Sequence, residues 1–328
     1  MWIRDSAGYC KLDLKEFLKE VLFMKRSIII TGGNTGLGYS CAGYIARNCK
    51  DYAIIIACRN VKKGSDAAEK LKEKTGNPNI FVLELDLASL ASVRKFKESY
   101  CKSGYPPLYG IVCNAGVHQH GGLKYTKDGF EEAFGVNHLG HFLLVNLLLE
   151  NIGKNGRIVF VSSDTHDSDK IRFYDAKRLA YPEKYNCVEA GYPISKLCNI
   201  LCTYEMVRRL KAQDIKNITV NAFNPGFMPD TGLPKALPPV LNIIVPALIS
   251  VYAVCIGTYS NSKRSGKALA EMMVGKKYEN ITGTYNDRGI TKNSSSASYD
   301  GNAAAKLWCE SAEMVGLKSN ETILKMQN

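Results

Sequence analysis

The 328-residue chain has no Cys-x-x-Cys pair among its 11 cysteines, which lie singly at positions 10, 41, 49, 58, 101, 113, 187, 198, 202, 255 and 309. That scatter supplies neither the paired thiolates of a zinc site nor the frame of a disulfide scaffold, so free thiols in a reducing intracellular compartment are expected. The Asn-x-Ser/Thr matches at Asn217, Asn280, Asn293 and Asn320 then read as chance. Histidine is scarce as well. The five are His118, His120, His138, His141 and His166, and none has an acidic or cysteine partner at ligand spacing, so no metal site is expected. A concentrated basic run is also missing. The net charge is +12, yet Lys and Arg are interspersed with acids, as in "KLDLKEFLKE". Without a basic stripe the charge argues for an anionic ligand or a membrane surface and against nucleic acid. Neither an internal repeat nor a low-complexity linker divides the chain. Its start lacks the uninterrupted apolar core of a secretory leader. Residues 1–25 read instead as an amphipathic extension, with a helix opened by Asp13 and supported by Glu16 three residues later.

What the sequence does have is alternation. Short β-rich runs occur at 27–31, 52–58, 80–85, 108–113, 157–162 and 218–223, each bounded by polar or turn residues. Helical patterns fill 36–49, 61–74, 89–102, 128–151 and 189–213. Near-continuous apolar strands alternating with helices imply a parallel sheet covered on both faces, a doubly wound, Rossmann-like α/β domain over 26–328. One stretch breaks the rhythm: no charged residue stands between Leu237 and Ser262. It exceeds the roughly 20 residues of a membrane span. However, Pro238, Pro239, Asn242 and Pro246 interrupt it, and a further helix and strand follow. An apolar substrate lid over about 227–262 is expected, or a peripheral membrane contact through 237–262, with Lys263, Arg264 and Lys267 just beyond.

The first strand runs into "TGGNTGLG", which puts Gly32, Gly36 and Gly38 where a chain must turn tightly, approach a pyrophosphate and open a helix whose N-terminus favours anions. The second strand ends at Arg59, where a site for NAD would place an acid to hold the ribose. A guanidinium suits a 2′-phosphate, so NADP(H) is expected. Asp86, after the third strand, is a candidate acceptor for the adenine amino group, or else a helix cap. Tyr192 and Lys196 stand four residues apart and share a helix face. An ammonium near a phenol lowers its pKa from about 10 toward the range of acid–base catalysis.

"TGGNTGLG", "CNAG" (113–116), "NHLGHF" (137–142), "VSS" (161–163), "YPISK" (192–196) and "NPGF" (224–227) occur in the order and spacing of the short-chain dehydrogenase/reductase family, which the chain resembles from about residue 26 onward. The resemblance implies a catalytic tetrad of Asn137, Ser163, Tyr192 and Lys196. It implies cofactor contacts from Gly32, Asn34, Thr35, Gly36, Leu37, Gly38, Arg59, Asp86, Leu87, Asn114, Ala115, Gly116, Tyr192, Lys196, Pro225, Gly226 and Thr231, with Asn114 also bracing the central strand. In these roles Tyr192 exchanges the proton, Lys196 tunes it and holds the nicotinamide ribose, Ser163 orients the substrate oxygen, and Asn137 holds a water linked to Lys196. Ser162 ends its strand and points away.

"IIACRN", "LDLASLASVRKF" and "SKLCNIL" resemble a branch that holds retinol dehydrogenases and light-dependent protochlorophyllide reductases. Phe227, where those reductases carry cysteine, and the short Ser163-to-Tyr192 connection depart from the latter. The expected function is NADP(H)-dependent hydride transfer to or from an apolar carbonyl or alcohol, retinoid-, steroid- or lipid-like. The alternatives are reduction of a C=C bond and a non-catalytic NADP-binding interaction protein. The resemblance further implies a homo-oligomer, and the expected location is cytoplasmic or peripherally membrane-associated.

Overall fold

Isoleucine-rich strands buried on both faces build the centre of the protein. The computed structural model describes residues 2–5, 8–11, 24–118, 122–183, 191–229, 254 and 257–325. Its main sheet has eight strands in the order β10-β9-β8-β7-β6-β3-β4-β5. These are β3 (Arg26–Thr31), β4 (Tyr52–Cys58), β5 (Ile80–Glu84), β6 (Leu108–Cys113), β7 (Ile152–Val161), β8 (Ile218–Asn224), β9 (Tyr285–Asp287) and β10 (Ile290–Lys292). All neighbours pair in parallel except β9 with the short, exposed edge strand β10.

Successive side chains of a strand point to opposite faces, and the core divides accordingly. Ile29, Ile55, Ile111, Ile158 and Val220 meet α3 (Leu90–Lys102), α5 (Gly140–Leu148), α7 (Tyr192–Ala212) and α9 (Gly301–Met314) on one face. Ile28, Ile30, Ile54, Ile56 and Val159 meet α1 (Gly36–Asn48), α2 (Val61–Thr75) and α8 (Ser262–Val274) on the other. The doubly wound, Rossmann-like expectation is met in a single domain. Strand order reverses between β3 and β6, and ligands of open α/β sheets bind at such a switch point, outside the C-terminal strand ends.

Local chemistry sets the boundaries. Asn60 caps α2 by accepting from Lys63 N at 2.9 Å, and Gly76, at φ +62°, ends it. Ser89 caps α3. Helix α7, which follows the short α6 (Ala176–Ala180), is buried over most of its surface because α9 covers the side turned away from the sheet.

One expectation differs from the structure and one is not reached by it. Ahead of the main sheet, β1 (Trp2–Asp5) pairs antiparallel with β2 (Gly8–Lys11), Asp5 opposite Gly8. Trp2, Ile3, Tyr9 and Cys10 flank a two-residue connection, a length that favours a hairpin. The helix expected from Asp13 lies outside the described residues. The single helix expected over 128–151 is broken into a short α4 (Glu132–Phe134), a π-helical turn (Gly135–Leu139) and α5.

Most of the expected lid, from 230 to 253, also lies outside the described residues, but its two ends meet. Phe227 and Tyr259 form a parallel bridge, with Phe227 N donating to Thr258 O and Ser260 N to Phe227 O. Among the described residues no helix is long and apolar enough to cross a membrane.

Candidate active site

A cleft of about 670 Å³ opens at the switch point. The glycine-rich turn forms one wall, and its glycines are required by the backbone. Gly32 and Gly36 have φ of +64° and +54°, where an L side chain is strained. A Cβ on Gly38 would lie 2.6 Å from both Asn114 Nδ2 and Gly32 O, so its absence lets α1 seat against β6. Asn114 joins the two strands at the switch: its Nδ2 donates to Thr31 O at 2.8 Å and its N to Thr31 Oγ1 at 2.9 Å.

Of the expected cofactor residues, Gly32, Asn34, Thr35, Gly36, Leu37, Arg59, Asp86, Leu87, Asn114, Ala115, Gly116, Tyr192, Lys196 and Pro225 line this cleft. Gly38 lies behind its wall. Gly226, at φ +74°, turns the chain after β8, its N–H donating to Asn224 Oδ1. Thr231 lies outside the described residues. Asp86 does not cap the helix that follows. One oxygen accepts from Ala88 N at 3.1 Å and the other pairs with Lys127 Nζ at 2.9 Å, while Ser89 caps the helix that follows.

Tyr192 and Lys196 enter from α7. Gly191, at φ +104°, precedes the helix and Pro193 sits in its first turn, fixing its start. Ser163, just after β7, is near enough to influence the phenol of Tyr192, while its own Oγ donates to Asp164 Oδ1 at 3.2 Å and accepts from Thr165 N at 3.3 Å. Lys196 Nζ donates to Val161 O at 3.0 Å and lies over the Tyr192 ring, 5.3 Å from its centroid. Burial lowers the Lys196 ammonium to about 8.

Burial also pushes Tyr192 up to about 12, the nearby Ser163 hydroxyl offsetting part of this and the Asp164 carboxylate adding to it. The expected lowering of the phenol by Lys196 is therefore not what the geometry gives. Taking the hydroxyl out of water costs the phenolate more than the ammonium beside the ring returns.

Asn137 sits in the π-helical turn. Its Nδ2 donates to Val117 O at 3.0 Å and Ser195 Oγ at 2.9 Å, and its Oδ1 accepts from Val117 N at 2.8 Å. A Cβ on Gly116 would stand 3.1 Å from Asn137 Oδ1 and 3.4 Å from Lys196 Nζ, so this glycine keeps the space between them open. Ser162 lines the cleft, but its hydroxyl is engaged, Oγ donating to Lys196 O at 2.9 Å. His138 and His141 are buried and neutral, the first on Ser311 Oγ at 2.9 Å, the second between Thr31 Oγ1 and Asn137 O. Among the described residues no cluster of three His, Cys, Asp or Glu side chains is placed to hold a metal.

Sequence reasoning missed several cleft residues. Lys63, Val136 and Met228 line it, and His118 packs its ring 4.7 Å from that of Tyr192. Lys63 lies one turn into a helix beginning just after Arg59, a position from which it was findable; His118 and Met228 are brought in by loops.

A strand–glycine turn–helix beside a serine–tyrosine–lysine cluster defines a class, and comparison with known proteins bears it out. A family model described as short chain dehydrogenase matches residues 26–174. The chain is 35% identical over 297 residues to the polyprenol dehydrogenase of Danio rerio, spanning 88% of this chain and 86% of that one. The chain belongs to the short-chain dehydrogenase family and is an oxidoreductase. Retinol dehydrogenase 12 of Bos taurus is 38% identical over 225 residues, 68% of this chain and 66% of that one. Among solved structures, an uncharacterised protein of Mycobacterium paratuberculosis superposes with a TM-score of 0.67 at 28% identity, over 90% of this chain and 94% of that one. A blue fluorescent protein from a metagenomic library, in complex with NADPH, shares the fold with a TM-score of 0.59 at 21% identity, over 81% and 96%.

Proposed function

We propose that the protein is an NADP(H)-dependent dehydrogenase/reductase of apolar carbonyls and alcohols, with Tyr192 as proton donor and acceptor. One observation carries the reading: Tyr192, with the Lys196 ammonium over its ring, lines the same cleft as the glycine turn and Arg59. The cofactor supplies or accepts the hydride when bound. The side-chain-free turn at Gly32 and Gly36 and the N-terminus of α1 suit a pyrophosphate. Arg59, with Lys63 nearby on the same wall, suits a 2′-phosphate. Asp86, already satisfied by Ala88 N–H and Lys127, contributes a further wall.

In the reducing direction Tyr192 gives its proton to the substrate oxygen, next to the Ser163 hydroxyl. In the oxidising direction it takes the proton back. Lys196, held by Val161 O, supplies positive charge behind the ring. An apolar substrate is supported by the uncharged 237–262 segment, part of a stretch pinned beside the cleft where Phe227 bridges Tyr259, and by relatives named for retinol and polyprenol.

The test is a panel of retinol, a polyprenol, a steroid alcohol and the matching carbonyls, assayed with NADP(H) and NAD(H). Turnover of at least one pair, with NADP(H) preferred and Tyr192→Phe reducing kcat by 100-fold or more, is the expected result. An unchanged Tyr192→Phe rate would remove the tyrosine from its role. A product with hydride on a carbon remote from any new hydroxyl would replace carbonyl by C=C reduction.

A further inference from the structure

The 126–130 turn, just ahead of α4, is docked on the segment that leads from β5 into α3. Lys127 N donates to Ala88 O at 2.9 Å, and Leu90 N donates to the Asp128 carboxylate at 2.8 Å. Thr126 braces the turn from within, its N donating to Phe130 O at 2.8 Å and its Oγ1 accepting from Phe130 N at 3.1 Å. The backbone of Lys127 is thereby held in place, and its Nζ reaches Asp86 Oδ2 at 2.9 Å on the wall of the cleft. We infer that Lys127 is a specificity-determining positioning residue for the cofactor: by holding the Asp86 carboxylate it leaves Arg59 free for a 2′-phosphate and removes a charge that would oppose that phosphate.

The position of the carboxylate makes its charge matter. Strands β4 and β5 pair in parallel with Cys58 opposite Glu84, and Leu85 N donates to Cys58 O at 3.1 Å, so Arg59 and Asp86 leave neighbouring strand ends on one wall of the cleft. The Asp86 side chain is only 12% exposed, so water screens its charge poorly. Lys127 is 70% exposed, and its ammonium stays hydrated while it pairs. The other partner of Asp86, Ala88 N at 3.1 Å, is neutral and leaves the charge in place. Arg59 and Lys63 are exposed cations on the same wall, and Arg59 forms no ion pair among the described residues. Without Lys127, Asp86 would take its counter-charge from that wall, in competition with a bound phosphate. An ion pair with one exposed partner adds little to folding stability. Its consequence here is the charge it removes from the cofactor's surroundings.

This rests on NADP(H) as the cofactor, and the test separates the two. Dissociation constants of NADPH and NADH are measured from the fluorescence of the bound dihydronicotinamide, which needs neither substrate nor turnover. The proteins are wild type, Lys127→Ala, Lys127→Arg, Asp86→Asn and the double variant Lys127→Ala with Asp86→Asn. Each keeps the backbone bond from Lys127 or its replacement to Ala88 O and the Asp128 contact with Leu90 N, so the turn stays docked. The expected result in Lys127→Ala is NADPH binding weakened by about three- to tenfold, the size of one partly screened charge, with NADH changed by less than about twofold. Lys127→Arg keeps the wild-type constants, and once Asp86 is Asn the loss of the lysine has no further effect on the preference. An NADPH constant unaltered in Lys127→Ala, or an equal loss for both cofactors, overturns the inference. So does an undiminished loss in the Asp86→Asn background, because the lysine would then act on the phosphate directly. Wild type that binds NADPH no more tightly than NADH would instead remove the cofactor preference in the proposed function, and the inference with it.

Discussion

A guanidinium at position 59 is the residue on which cofactor choice turns. It stands at the C-terminal end of β4 on the wall of the cleft, where a carboxylate would accept two ribose hydroxyls and repel a phosphate. Asp86, the nearest carboxylate on that wall, is neutralised by Lys127 at 2.9 Å, so it opposes a bound phosphate only weakly. Replacing Arg59 by Asp reverses the local charge. The ratio of kcat/KM for NADPH over NADH is expected to fall by at least tenfold, chiefly through KM, the cost of losing one charge-assisted phosphate contact and gaining a repulsion. A ratio unchanged in the variant would place 2′-phosphate recognition on Lys63 or elsewhere. At this scale the site was largely legible in the sequence, because Gly32, Arg59, Asn114, Tyr192 and Lys196 each stand at a strand end or on a helix turn whose position the alternating pattern fixes. His118 was not, because its contact with Tyr192 depends on the path of a loop.

Elements decide what those residues face. The run 128–151 carries a helix-like pattern, and a regular helix would have served the core equally well on periodicity alone. The π-helical turn at Gly135–Leu139 inserts an extra residue per turn instead, and Asn137 lies within it. There its amide satisfies both backbone groups of Val117, at 2.8 and 3.0 Å, and so ties the loop after β6 to the helix. This switch from α to π geometry was not legible, since it is selected by a hydrogen bond to a distant loop. Asn137→Leu removes the amide but keeps the volume. It takes the partner from the half-buried Val117 N–H and C=O, a loss of about 1 kcal/mol. Urea unfolding should show that loss as a lower midpoint with an unchanged slope, together with reduced kcat. A midpoint equal to wild type would mean that water takes over both Val117 groups.

Across the whole molecule, the C-terminal part of the chain closes over the face of α3, α5 and α7. Arg94 on α3 bonds Glu321 and the carbonyls of Val315 and Gly316, Thr322 reaches Asn146, and Arg209 donates to Lys325 O. Trp308 packs edge-on against Phe142, and Ser311 meets His138. This enclosure makes two histidines dependent on pH. Burial lowers His138 to about 3 and His141 to about 4, whereas both titrate near 6.5 once unfolded. Between those values the unfolded chain binds more protons than the folded one, so the stability tied to these neutral imidazoles is fully present above about pH 6.5 and is lost as pH falls toward 4. Each histidine contributes a slope of about 1.4 kcal/mol per pH unit, or together about 3–4 kcal/mol between pH 7 and pH 5. Denaturant unfolding of the intact chain at the two pH values measures the loss. His138→Gln, which keeps a partner for Ser311 without an ionisable ring, should cut the pH-dependent part by about half, even if it lowers stability at pH 7. An equal loss in wild type and variant would show that carboxylates, not the buried imidazoles, govern acid unfolding.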